Sequence, residues 1–150
     1  MTAAVNDEVW QEFSIALASF VARLPAWSNL VFEAEGNRFV AFLMSDRVLA
    51  CEVVCNRYLE PDYRMTPDDE VRMRLDGWGD PERGHNWIRF LAWPAPRAAY
   101  RDLTDRVVTA LRDVLGVEQP DRLTLKGWPA NPDNAPDATK LGVKVVPPMS

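Results

Sequence analysis

The segment Phe39-Val40-Ala41-Phe42-Leu43-Met44 constrains the fold more than any other part of the chain, because it is apolar at every position. Alternate side chains of a strand point to opposite faces. Phe39, Ala41 and Leu43 would share one face, and Val40, Phe42 and Met44 the other. A strand with no polar face belongs in the middle of a sheet, or needs something over its outer face. Glu35-Gly36-Asn37 precedes it with a hairpin signal, which predicts an antiparallel neighbour over 30–34. Ser45-Asp46 turns the chain again, into a third strand over 47–55. That strand sets Val48, Ala50, Glu52 and Val54 against Leu49, Cys51, Val53 and Cys55. Glu52 is the polar exception, expected at an edge of the core or against a donor.

Helical spacing brackets this meander. Trp10, Phe13, Leu17, Phe20, Val21 and Leu24 follow a three-and-four rhythm that predicts a helix over 7–24. Asn6 is the expected cap, Asp7 and Glu8 suit the positive end of the dipole, and Pro25 stops it. Thr66-Pro67-Asp68-Asp69 is a helix start, with Val71 and Leu75 as the expected inner stripe and Asp76-Gly77 as the end. A strand over 86–93 places Trp87, Arg89, Leu91 and Trp93 opposite Ile88, Phe90 and Ala92. Pro94 and Pro96 then open a helix over 97–115, lined by Tyr100, Leu103, Val107, Leu111 and Val114 and stopped by Gly116. A last strand is expected within 121–128. The order is α-β-β-β-α-β-α-β, an α+β class.

At 150 residues the chain reads as one domain, 1–128, followed by a proline-rich tail over 129–150. Within that tail, 141–146 (Leu-Gly-Val-Lys-Val-Val) has strand composition. It is predicted to dock as an extra strand, on this sheet or a neighbour's.

The formal charge of −5 disfavours nucleic acid and anionic membrane as partners, since phosphate binding needs a basic face. No apolar run approaches the ~18 residues of a membrane span, and the acidic first residues predict no secretory leader. The expected location is the cytoplasm. Cys51 and Cys55 on one strand would stand about 13 Å apart, too far for a disulfide, so both are expected as reduced core thiols.

Chemistry-bearing patterns are sparse. His85 is the single histidine, two strand cysteines and scattered acids make no zinc spacing, and no phosphate-binding glycine loop occurs. No metal and no cofactor are expected. An enzyme would have to assemble a cryptic site, for which Glu52, His85 and Asp80 are the candidates. The tryptophans are more informative. Gly77-Trp78, Asn86-Trp87 and Gly127-Trp128 fall at the ends of predicted elements. Indole suits both core margins and binding grooves. Trp78, Trp87 and Trp93 either pack at the sheet margin or line an apolar groove beside 86–93, fit for an extended or helical peptide.

The chain resembles the small chaperones of type III secretion systems and the YbjN-like proteins, and more closely the actinobacterial peptide-binding chaperone domain grouped with them. The residues that carry this are Arg38-Phe39-Val40-Ala41-Phe42, Glu52-Val53-Val54-Cys55-Asn56-Arg57-Tyr58-Leu59, Leu75-Asp76-Gly77-Trp78-Gly79-Asp80-Pro81, Asn86-Trp87 and the stretch 106–117. The resemblance implies an antiparallel sheet with helices packed on one face, homodimers, and binding of a client polypeptide without chemistry. Asn56, Tyr58, Trp78, Trp87 and Trp93 are the residues expected to face that client, and the tail strand could mimic it. The chain departs from the secretion chaperones in having one strand between its second and third helices, where they have two, and in its tail. A self-associating structural domain is the remaining alternative.

Overall fold

The computed structural model describes residues 2–82, 85–127 and 137–146, with side chains from residue 7 onward. Trp128, residues 83–84 and the proline-rich stretches 129–136 and 147–150 lie outside the described residues. Helix α1 (Thr2–Ala22) leads into strands β1 (Asn29–Ala34), β2 (Arg38–Met44) and β3 (Val48–Val53). Helix α2 (Pro67–Leu75), strand β4 (Trp87–Ala92) and helix α3 (Arg97–Thr109) follow, then β5 (Thr124–Lys126) and the short β6 (Lys144–Val145). The sheet order is β4-β3-β2-β1-β5-β6, so β2 is interior, as its composition demands. All pairings are antiparallel except β5 with β6. Among the described residues, no helix is long and apolar enough to cross a membrane.

Parity sorts the two sheet faces. Leu30 and Phe32 of β1, Val40, Phe42 and Met44 of β2, and Leu49, Cys51 and Val53 of β3 are buried on the helix side. Helices α1 and α3 cover them and pack on each other. Trp10, Phe13, Phe32 and Phe42 run from α1 into the sheet as successive edge-on ring pairs, 5.6, 6.1 and 6.0 Å between centroids, an arrangement the ring quadrupoles favour. Where the helices meet, the buried hydroxyls of Ser14 and Thr104 lie 3.0 Å apart, and Thr104 also donates to the Ser14 carbonyl. This satisfies two polar groups that would otherwise oppose burial.

Three expectations change. Helix α1 begins at Thr2, so Asn6 lies inside it and is not its cap. In α2 the side chain carried inward is Met73; Val71 and Leu75 stand 48% and 80% exposed. Docking at one point near the end of α3 needs only one buried residue per two turns, so the apolar pair at i,i+4 gave the wrong face. The third concerns the end of α3, which widens into a π turn over Ala110–Val114 before Gly116 at φ +69°. The α2 start is as expected: Thr66 Oγ1 accepts from the Asp69 N–H, and Asp69 accepts from the Thr66 N–H, a reciprocal cap.

The segment at 144–145 adds to the sheet in cis. Lys144 N–H donates to the Leu123 carbonyl and Val146 N–H to that of Leu125. Leu141, just before it, is buried in the main core.

Candidate functional site: the open sheet face

The outer face of the sheet carries the residues of opposite parity. Register places them in rows across the strands. One row runs Asn29, Leu43, Ala50, Phe90, and the next Lys126, Val31, Ala41, Glu52, Ile88. Phe39, Val48 and Ala92 extend the apolar patch along their strands. Phe90 is 68% exposed, and Leu43 and Val48 are each 38% exposed. Soluble domains scatter single apolar residues over their surface, but a contiguous patch marks an interaction surface. Glu33 borders it opposite Phe39, and Glu52 interrupts it, half-buried between Ala41 and Ile88. It lies off the core, on the open face.

Strand β4 is an edge. Gly79 exchanges both backbone hydrogen bonds with Ile88, which shows that Ile88, and by the two-residue period Phe90 and Ala92, turn their N–H and C=O groups outward. Trp93 N–H closes the strand on the Arg47 carbonyl at 2.8 Å. Arg89 holds β4 from beneath: it donates to the Asp76 carbonyl, lies 3.6 Å from Asp102, and spreads its guanidinium 5.8 Å from the Trp78 ring centre. On the core face, burial pushes the Cys51 thiol far above its ordinary range; Arg89 opposes this and Glu52 adds to it.

The five residues singled out in the sequence do not converge. Trp87 and Trp78 are buried in the core, with Arg74 stacked over the Trp87 ring at 5.6 Å. Trp93 is half-buried at the far end of β4, about 20 Å along the strand from Trp87. Asn56 donates to the Met65 carbonyl at 2.9 Å and accepts from the Met65 N–H at 2.6 Å, which closes the 56–65 loop. Tyr58 is the exposed member, with Arg57 over its ring. Asn86 and Asn37 brace the same stretch, through the Cys55 N–H and the Tyr58 carbonyl. Phe90, Leu43 and Val48 were not singled out, though the two apolar faces of 39–44 were the signal that could have found them.

The cryptic catalytic trio is likewise separated. Asp80 and His85 border one shallow depression, where Asp80 accepts from Arg74 at 2.7 Å, whereas Glu52 is on the open sheet face. Among the described residues, no three His, Cys, Asp or Glu side chains gather as a metal site.

Comparison with known proteins gives no match among curated proteins or solved structures. A family model does match, over residues 3–129, which covers every element from α1 to β5. The chain belongs to the TY-Chap3 family, described as T3SS (YopN, CesT) and YbjN peptide-binding chaperone 3.

Proposed function

We propose that this protein holds a client polypeptide segment against the open face of its sheet, without covalent chemistry. The observation that carries the reading is the contiguous apolar patch around Phe90, Leu43 and Val48, on the face that α1 and α3 leave uncovered. Burial of that patch supplies the affinity, and the outward backbone groups of Phe90 and Ala92 allow an extended client to pair with the β4 edge. Tyr58 remains a candidate contact. Asn56, Trp78, Trp87 and Trp93 act by holding β4 and the 56–65 loop in place. Two free, buried cysteines favour a reducing compartment, the cytoplasm, as the place of action.

The test is an array of short peptides graded in apolar content, probed with the full chain and with Phe90→Asp and Leu43→Asp. Binding that rises with apolar content and is lost in both folded variants supports the reading. If no peptide binds and sedimentation instead shows a dimer that the same substitutions dissociate, the face belongs to a second copy and the client reading fails.

A further inference from the structure

A second concave surface lies on the helix side of the molecule. It is bounded by α1, by residues 94–101 at the entry to α3 and by the turn at 137–141, and it encloses about 800 Å³. Its walls are apolar where α1 presents Ile15, Ala18 and Ala22, and where Tyr100 and Leu141 close it. Alanines on α1 leave the space that larger side chains would fill. Small-molecule sites have this character: roughly 300–1,000 Å³, apolar walls and a few placed polar groups.

The rim carries both signs, with cations in excess. Arg23, Arg97, Arg101 and Lys140 line it against Glu12 and Asp137, a net positive border on a chain of net charge −5. Among the described residues, neither Arg97 nor Lys140 has a carboxylate oxygen within 4.0 Å, though Lys140 acts on Asp137 from farther off. The Arg101 Nε–H is buried and makes no hydrogen bond there, and its Nη2 lies 3.8 Å from Asp105. Asp137 accepts from the Thr139 N–H at 2.9 Å, which lowers its pKa, with smaller contributions from Lys140 and Arg23. Arg23, Arg97, Arg101 and Lys140 thus share one groove, with Asp137 the carboxylate that a ligand of Lys140 and Arg23 would displace or outcompete.

We propose that this groove binds a small anionic amphiphile, its apolar tail along the alanine wall of α1 and its carboxylate held by the rim cations, Arg97 and Lys140 among them. The site is separate from the sheet face and does not depend on the client reading. Its charge supplies orientation and its walls supply the burial, a division found in pockets for carboxylated ligands.

Isothermal titration of the full chain with decanoate tests this, with decanol and acetate as controls. Decanoate is expected to bind saturably at one site, decanol at least about tenfold more weakly for want of charge-assisted hydrogen bonds, and acetate not at all. Ala22→Trp, at an exposed position on the groove wall, should abolish binding. Ser19→Trp on the same wall replaces it if that variant unfolds. Arg97→Ala with Lys140→Ala should weaken decanoate by about tenfold. Asp137→Asn keeps the acceptor for Thr139 but removes the opposing charge, so it should tighten binding. Phe90→Asp, on the sheet face, should leave it unchanged. Absence of saturable decanoate binding to the folded protein, equal affinity for decanol, or loss in Phe90→Asp with retention in the wall variant would overturn the assignment.

Discussion

Phe42 and Phe90 offer the sharpest test of a one-sided sheet, because they are the same residue on opposite faces of neighbouring rows. Phe42 is fully buried on β2, and Phe90 retains about a third of its surface out of water. A Phe side chain buries roughly 200 Å² when covered, and at about 25 cal/mol per Å² this is worth about 5 kcal/mol. Extended-chain references overstate burial, so Phe42→Ala is expected to cost about 3–5 kcal/mol, in line with large-to-small changes in cores. The same arithmetic gives Phe90 roughly 65 Å² and about 1–1.5 kcal/mol. Both positions are in strands, so lost strand preference, within about 1 kcal/mol, is common to the pair. Urea unfolding followed by tryptophan fluorescence gives both values from the midpoint and slope. A Phe90→Ala cost of about 3 kcal/mol or more at unchanged slope would mean that the outer face is covered and not open for binding.

The Cys51 thiol should make stability fall at alkaline pH. Its folded pKa is raised by burial, so the stabilisation is complete below the unfolded value of about 8.5. It is lost as pH rises beyond that, at about 1.4 kcal/mol per pH unit. Cys51→Ala should be less stable at neutral pH but flatter between pH 8.5 and 10, and an identical slope in the two proteins would contradict this. Gly36 has φ +82°, and a Cβ there would overlap the Tyr63 ring. Gly36→Ala should therefore cost about 1 kcal/mol for the backbone alone and more for the ring. In a Tyr63→Ala background only the backbone part should remain, and a double-mutant cycle reads the difference. Thr66→Ala removes the reciprocal cap of α2 and should cost about 1 kcal/mol by thermal or urea unfolding; no change would mean the helix end is held by other contacts.

The strands were legible because each is short, bounded by turn residues, and alternates or repeats cleanly. β2 contains the whole apolar run 39–44 and ends with it at Met44. Helix α2 shows where such reading stops. Thr66, Pro67 and Asp69 encode its start locally, through backbone donors within one turn, and this needed no tertiary knowledge. Its inward face is set by what it docks on, near Asp113 and the π turn, with Arg72 3.3 Å from Asp113. Composition favoured Val71 and Leu75, and position chose Met73. The Ser14–Thr104 contact was invisible for the same reason: two hydroxyls 90 residues apart have no local signature.

The open face was not legible in the sequence because of one ambiguity. A strand that is apolar on both sides has two solutions, burial on both faces or exposure of one, and periodicity cannot separate them. Trp87 and Trp93 have the core parity: Trp87 is opposite Val53 across β3, and Leu91, of the same parity, is opposite Leu49. The alternate set, Ile88, Phe90 and Ala92, is equally apolar, so composition does not say which set is covered. What decides the matter is the number of helices available to cover a sheet. α1 and α3 pack on each other over one face, and α2 docks near the end of α3 instead of crossing the sheet. With both long helices committed to the side that buries Val40, Phe42 and Met44, neither covers the side bearing Ala41 and Leu43. Two long amphipathic helices cover one face of a sheet this size, and Phe90 stays exposed because it lies on the other.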